Sequence, residues 1–238
     1  MDGNTPTACR FIMILFMSFS FCQLSIAQSS FDLNDPNIIY KDIDGHVMTK
    51  DSLMSFVARG SFNIERKNLG NGITEIVLYR KNDEQRAKDQ EVTTSWSRSW
   101  IGKSFPNFEF TTLGGTRIKR SDLNGKISVI NFWFTGCQPC IQEMPALNEV
   151  VRTYDKQAIN FLAFSLDDEH KTRKFLKKHR FRYKQISGAR SLIKEMGVST
   201  YPTHIILDKD GVIREIEVGA YEDTQERIRR LVENVRNP

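Results

Sequence analysis

Cysteine is scarce in this sequence, and its scarcity narrows the function more than any other compositional feature. Only Cys9, Cys22, Cys137 and Cys140 occur in 238 residues. That density excludes a small disulfide-stapled scaffold. An apolar content of 39% gives a chain of this length a core of ordinary size without covalent staples. Histidine is equally sparse: His46, His170, His179 and His204 show no paired ligand spacing. Zinc usually needs four ligands, and a second CxxC is missing, so no metal is expected. Internal repeats and low-complexity tracts are absent, which argues against solenoids and against disorder. Beyond the N-terminus no apolar run is long enough to span a bilayer. The net charge is +5 with a pI near 9.0. Acids are interspersed among the basic residues, however, so nucleic acid is not expected as a partner. The densest basic run, Lys171 to Arg180, carries Phe175 and Leu176 among its charges and reads as a surface helix.

What is present begins with a leader. Arg10 precedes the apolar run Phe11 to Phe21, and Ser25-Ile-Ala27 supplies small residues before Gln28. Basic start, short apolar stretch and small-x-small end form the pattern of a secretory signal peptide, with cleavage expected after Ala27. Phe21 is too bulky to make Cys22 a lipoprotein site. Cleavage leaves one thiol pair, Cys137 and Cys140, in a chain bound for an oxidising compartment. A CxxC closes a very small loop and adds little as a staple. The pair is therefore read as reactive.

The chain from 28 to 98 reads as a small segment with its own α+β pieces. Asp44-Gly45 marks a turn between short extended runs, Lys50 to Arg59 a short helix ending at Gly60, and Gly70-Asn71-Gly72 a hairpin between Phe62–Ile64 and Ile73–Tyr79. Arg80 to Glu91 is highly charged, a linker or an exposed helix. No catalytic constellation appears here, and a docking or packing role is expected. From residue 99 the pattern strengthens. A leading hairpin surrounds Gly114-Gly115. Lys126 to Phe134 and Ile159 to Leu166 are continuous apolar runs, as in strands buried on both faces. Helices are expected over Cys137–Tyr154, kinked at Pro145, and over the basic run. A short strand near Tyr183–Ile186 and a helix over Ser191–Met196, ended by Gly197, come next. Asp210-Gly211 signals a hairpin between Thr203–Leu207 and Val212–Val218, and a last helix covers Thr224–Asn237. Parallel β-α-β units followed by a hairpin and a helix make an α/β sandwich.

The CxxC falls where a buried strand gives way to a helix. Cys137 should lie at the helix N-terminus, where free N–H groups and the macrodipole favour an anion and lower the thiol pKa. Cys140 follows one turn later on the same face, placed to resolve a mixed disulfide. Pro139 suits the first helical turn. Cys137 is expected as the exposed nucleophile and Cys140 as the shielded resolving thiol.

Two stretches carry a family resemblance. Asn131-Phe-Trp-Phe-Thr-Gly-Cys-Gln-Pro-Cys-Ile-Gln-Glu-Met-Pro145 and Gly197-Val-Ser-Thr-Tyr-Pro-Thr-His-Ile-Ile-Leu207 resemble the active-site stretches of TlpA/ResA-type thioredoxin-fold proteins. The resemblance covers about Trp100 to Pro238. It implies a thioredoxin-like sandwich, a central mixed sheet with flanking helices, over 99–238. It also implies a cis bond at Tyr201-Pro202 facing the disulfide, with the Tyr201 backbone binding an extended substrate by strand addition. Glu143 matches the acid these proteins carry after the CxxC, and the resemblance gives it a role in proton transfer to and from the thiols. Two residues depart from many thioredoxins. Asn131 stands where an acid is common and cannot act as a base, which shifts proton handling toward Glu143. Gly136 replaces a tryptophan and is expected to leave open surface beside Cys137. Trp133 and Phe134 are expected to serve packing.

The function expected from all this is a thiol–disulfide oxidoreductase, exported by its leader and expected in the periplasm. It would need no cofactor beyond the Cys137–Cys140 disulfide and would not stay inserted in a membrane after cleavage. The resemblance favours a reductase of exported disulfide-bearing proteins, apocytochrome c among them, fed by a membrane thiol carrier. A peroxiredoxin-like peroxidase shares the fold, but no Pro-x-x-x-Thr-x-x-Cys arrangement surrounds Cys137. A binding or chaperone module with a merely structural CxxC is the reading from another class.

Overall fold

The computed structural model describes residues 35–58, 62–154 and 159–237. The expected signal peptide, Cys9, Cys22 and the expected helix stop at Gly60 lie outside the described residues.

Short extended runs open the fold. β1 (Ile38–Lys41) and β2 (Val47–Met48) are joined by a turn in which Asp42 Oδ1 accepts the N–H groups of Asp44 and His46, each at 2.9 Å. Gly45 sits in that turn at φ +86°, a conformation that suits a residue without Cβ. After α1 (Lys50–Ala58), β3 (Phe62–Asn68) and β4 (Thr74–Arg80) form the expected hairpin. Parallel pairing of β1 with β4 completes a four-stranded sheet in the order β2-β1-β4-β3.

The charged run that follows is a helix. Asn82 and Gln85 satisfy each other's backbone N–H groups in a capping box, which starts α2 (Asp83–Trp100). No residue of α2 is fully buried. Its C-terminal end is nevertheless fixed, because the indole N–H groups of Trp96 and Trp100 both donate to Met196 O, at 2.8 and 2.9 Å. The helix runs across residues 98 and 99, so the two expected parts of the chain share it.

A small hairpin, β5 (Glu109–Thr111) with β6 (Arg117–Lys119), precedes the main sheet. β7 (Ile127–Trp133) is buried at every position. α3 (Gln138–Thr153) follows and continues through Pro145. β8 (Ile159–Ser165), α4 (Glu169–Leu176), β9 (Lys184–Ile186) and α5 (Arg190–Met196) come next. Gly197 closes α5 in the left-handed region at φ 69°. β10 (Thr203–Leu207), β11 (Ile213–Val218) and α6 (Thr224–Arg236) complete the chain.

The five-stranded sheet has the order β11-β10-β7-β8-β9, with β7, β8 and β9 parallel and β10 and β11 antiparallel to their neighbours. Side chains alternate across it and fill two cores. On one face Val129, Trp133 and Ile206 meet Leu147 and Val150 of α3 and Ile228 and Val232 of α6. On the other, Ile130, Phe132 and Ile205 meet Leu192 and Ile193 of α5, together with Phe105 and Phe108. This is the thioredoxin-like sandwich, with a small α+β segment ahead of it.

Candidate active site

Polar residues interrupt the α3 face at one place. Asn131 lies on β7 and His204 on β10, directly opposite each other in the ladder. Both project toward α3, where Glu143 meets them. His204 Nε2 donates to Glu143 Oε2 at 3.1 Å, and Asn131 Nδ2 donates to Glu143 Oε1 at 3.3 Å. Asn131 Nδ2 also lies 3.3 Å from His204 Nδ1. An amide NH2 can only donate, so in this arrangement Nδ1 accepts and the imidazole proton sits on Nε2, aimed at the carboxylate. The side chains of Glu143 and His204 are each 1% exposed. Glu143 is thus no solvated helix charge. Tyr183 packs into the same core; burial, reinforced by the charge of Glu143, pushes its hydroxyl well above its ordinary value.

One helical turn before Glu143, Cys140 is bonded to Cys137, with an S–S distance of 2.03 Å. Cys137 occupies the N-cap of α3, and its Sγ accepts the Cys140 N–H at 3.2 Å. Pro139 falls in the first turn, where a missing N–H costs nothing. The backbone thus presents one N–H of the first turn, that of Cys140, to sulfur.

Two expectations about access need correcting. Cys137 was expected to be exposed, but in the disulfide it is 0% exposed and Cys140 1%. The rings of Phe134 and Tyr201, edge to face at 5.4 Å, pack against the core cluster containing both cysteines. Gly136 was expected to leave open surface. It is partly buried instead, with Phe134 Cε2 in ordinary van der Waals range, 3.4 Å from where a Gly136 Cβ would stand. Trp133 is wholly core, while Phe134 is only partly buried.

The Tyr201–Pro202 bond is cis. The Tyr201 hydroxyl donates to Val198 O at 3.4 Å, and burial pushes it up to about 12, against a smaller pull from Arg190. On the other flank Asp167 holds the loop before the cysteines. Its Oδ2 accepts the Thr135 N–H at 2.7 Å and its Oδ1 accepts Lys171 Nζ at 2.8 Å. Burial alone would raise the Asp167 carboxyl, but these partners outweigh it and hold it below the ordinary carboxylate value.

Sequence reasoning did not find His204 or Asp167. The signal for His204 was one histidine inside the apolar run Thr203–Leu207, a position where an unpartnered imidazole would be costly. Lys171 four residues on is the local partner of Asp167, but its hold on the loop before the cysteines, through Thr135, spans 32 residues. Among the described residues, Asp42, Asp44 and His46 are a loose group of potential metal ligands, but they are remote in sequence from the cysteines and mainly shape a turn.

Residues 101–216 match the AhpC/TSA family. Thiol-disulfide oxidoreductase ResA of Bacillus thuringiensis subsp. konkukian (strain 97-27) is 35% identical over 149 residues, covering 61% of this chain and 84% of the relative. Thioredoxin-like protein YneN of Bacillus subtilis (strain 168) is 35% identical over 121 residues, covering 50% of this chain and 71% of the relative. A solved thiol:disulfide interchange protein of the thioredoxin family from Chlorobium tepidum TLS superposes with a TM-score of 0.50 at 22% identity, over 56% of this chain and 96% of that one, which bears on fold alone. With a CxxC disulfide capping α3, a buried carboxylate one turn below it and relatives of this identity and coverage, the chain belongs to the ResA family of thiol-disulfide oxidoreductases.

Proposed function

We propose that the protein is an exported reductase of protein disulfides, working by thiolate attack from Cys137 and resolution by Cys140. The observation that carries this reading is the Cys137–Cys140 disulfide at the N-terminus of α3, with Glu143 buried one turn below. In the reduced protein the Cys137 thiolate attacks one sulfur of a substrate disulfide. A mixed disulfide forms and one substrate thiolate leaves. Glu143 takes the proton from Cys140; the resulting thiolate attacks Cys137 Sγ and expels the second substrate sulfur as a thiolate. The substrate gains two electrons from the dithiol; one of its two protons returns from Glu143 and the other, shed earlier by Cys137, comes from solvent, and the enzyme is left with its disulfide. An outside dithiol, such as a membrane thiol carrier, must return both electrons.

Asn131 and His204 hold the Glu143 carboxylate in place for this transfer, each through one hydrogen bond. Phe134 and Tyr201 pack against the cluster that holds the cysteines, and a substrate approaches beside the cis-proline, where the Tyr201 backbone can pair with it. The N-terminal leader pattern supports export, and disulfide-bearing exported proteins, including apocytochrome c, are the substrate class. No helix among the described residues is long and apolar enough to cross a membrane.

The test combines two variants with one potential. Cys137→Ser should abolish insulin-disulfide reduction, and Cys140→Ser should accumulate mixed disulfides. The potential of the pair should lie near the thioredoxin value of about −270 mV rather than the strongly oxidising value of about −120 mV. Full turnover by Cys137→Ser, or a potential at the oxidising end, overturns the proposal.

A further inference from the structure

β11 is the last strand of its sheet, and its ladder to β10 fixes which backbone groups it leaves free. Gly219 N–H donates to Pro202 O at 2.8 Å, extending the register that pairs Thr203 with Val218 and His204 with Glu217. Antiparallel ladders alternate, so Glu217 and Glu215 bond to β10 while Val218 and Ile216 turn their N–H and C=O groups outward. At the start of the strand this outer edge is closed: Gly102 N–H donates to Ile213 O at 2.8 Å, and Ile213 N–H donates to Lys103 O at 2.9 Å. Further along, the Tyr221 hydroxyl takes Val218 O at 3.0 Å. Both groups of Ile216 and the N–H of Val218 have no strand beside them among the described residues.

These groups face a groove of about 1210 Å³ between β11 and α2. Consecutive residues from Ile216 to Tyr221 line it, as a strand seen edge-on would. Val92 of α2 and Tyr221, 61% and 41% exposed, give it apolar walls. Pro139 and Gln142 of α3 line the same groove, so it reaches the first turns of the helix that carries both cysteines. Of its charged lining, Lys81 pairs with Asp89, Arg86 with Asp83 and Glu217 with Arg227, and Arg98 adds a positive charge. What remains to recognise a ligand is a row of backbone groups beside Arg98, neutral polar side chains and the apolar surfaces of Val92 and Tyr221. That fits an extended polypeptide of little sequence preference.

We propose that this groove docks an extended segment of the disulfide-bearing substrate, which adds as a strand to β11 at Ile216 and Val218 with α2 as its outer wall. The proposal rests on the reductase reading above and gives α2 a substrate-binding role. It places substrate on a second backbone edge, separate from the one at Tyr201.

Amide hydrogen exchange of the full wild-type protein tests it, with insulin B chain whose cysteines are carboxymethylated as the probe. This arm needs no redox chemistry. At a probe concentration ten times its Kd, the Ile216 and Val218 amides should exchange about elevenfold more slowly, whereas Glu217, already bonded to β10, should not change. No slowing at Ile216 and Val218 overturns the proposal. So does protection that is present without probe and grows with protein concentration, since the occupant would then be a second copy. A kinetic arm uses Val92→Glu, an exposed change on α2. KM for insulin should rise about five- to tenfold, while turnover of oxidised glutathione stays at the wild-type value. An unchanged KM for insulin, or a parallel loss on both substrates, overturns it. A wild-type protein that reduces neither substrate refutes the reductase reading instead, and the exchange arm still decides the groove.

Discussion

Replacing His204 with leucine tests the buried polar cluster directly. The imidazole supplies one of the two hydrogen bonds to Glu143 and lies beside the second N–H of Asn131. With 1% exposure on both side chains, no solvent replaces what is lost. Removing a hydrogen-bond donor to a buried carboxylate costs about 1.5–3 kcal/mol. With a urea slope of about 2 kcal/mol/M, the unfolding midpoint should fall by about 0.8–1.5 M. The assay is urea denaturation of the oxidised full-length protein, so that the disulfide is constant. A double variant, Glu143→Leu with His204→Leu, removes the carboxylate as well as its donor and should recover part of the loss, the remainder coming from the Asn131 amide that then lacks both partners. The coupling between the two sites should then exceed about 2 kcal/mol. A single variant within about 1 kcal/mol of wild type, or a double variant no more stable than the single one, refutes the reasoning.

Asp167→Asn should cost about 1.5–3 kcal/mol, the range for hydrogen bonds to a charged group, read as a lower urea midpoint at pH 7. Because the folded Asp167 carboxyl is held low, its contribution is present above the unfolded value near 4 and is lost as pH falls through the folded one, so wild type and variant should converge in acid. Tyr154 and Tyr201 are each raised to about 12, Tyr154 by burial and then by Glu233. Their contribution is whole below the unfolded value of about 10 and drains away between there and about 12; Tyr154→Phe with Tyr201→Phe should flatten the alkaline loss of stability, and an unchanged slope would contradict this. Gly197→Ala places a Cβ at φ 69° and should destabilise by about 1–2 kcal/mol, measured by thermal unfolding.

The main sheet was legible in the sequence because β7 and β8 are predominantly apolar runs and the Asp210-Gly211 turn marks the last hairpin. The cysteines were legible for a similar reason: their chemistry follows from a strand-to-helix junction that both neighbouring runs announce. Their burial was not, because Phe134 and Tyr201, which pack against each other and the core cluster that holds both cysteines, come from positions 67 residues apart in the chain. His204 was hidden by the same kind of distance. Its partner lies 61 residues upstream, and only the register between β10 and β7 puts a polar pair opposite each other beneath α3. α2 was read as a linker or exposed helix because its composition is that of a solvated surface; the two indoles at its end are what tie it down.

Those indoles do for α5 what its own sequence does not. The last carbonyls of a helix have no partner within it. In α5 the Ile193 and Lys194 carbonyls are taken by the Gly197 N–H, and Ile193 also by Val198. Met196 O is capped from nearly a hundred residues upstream, by Trp96 and Trp100 together. The family match begins at residue 101, one residue beyond the second tryptophan. A protein cut at that boundary would keep every residue of the redox centre and lose the cap of the helix that leads into its cis-proline loop.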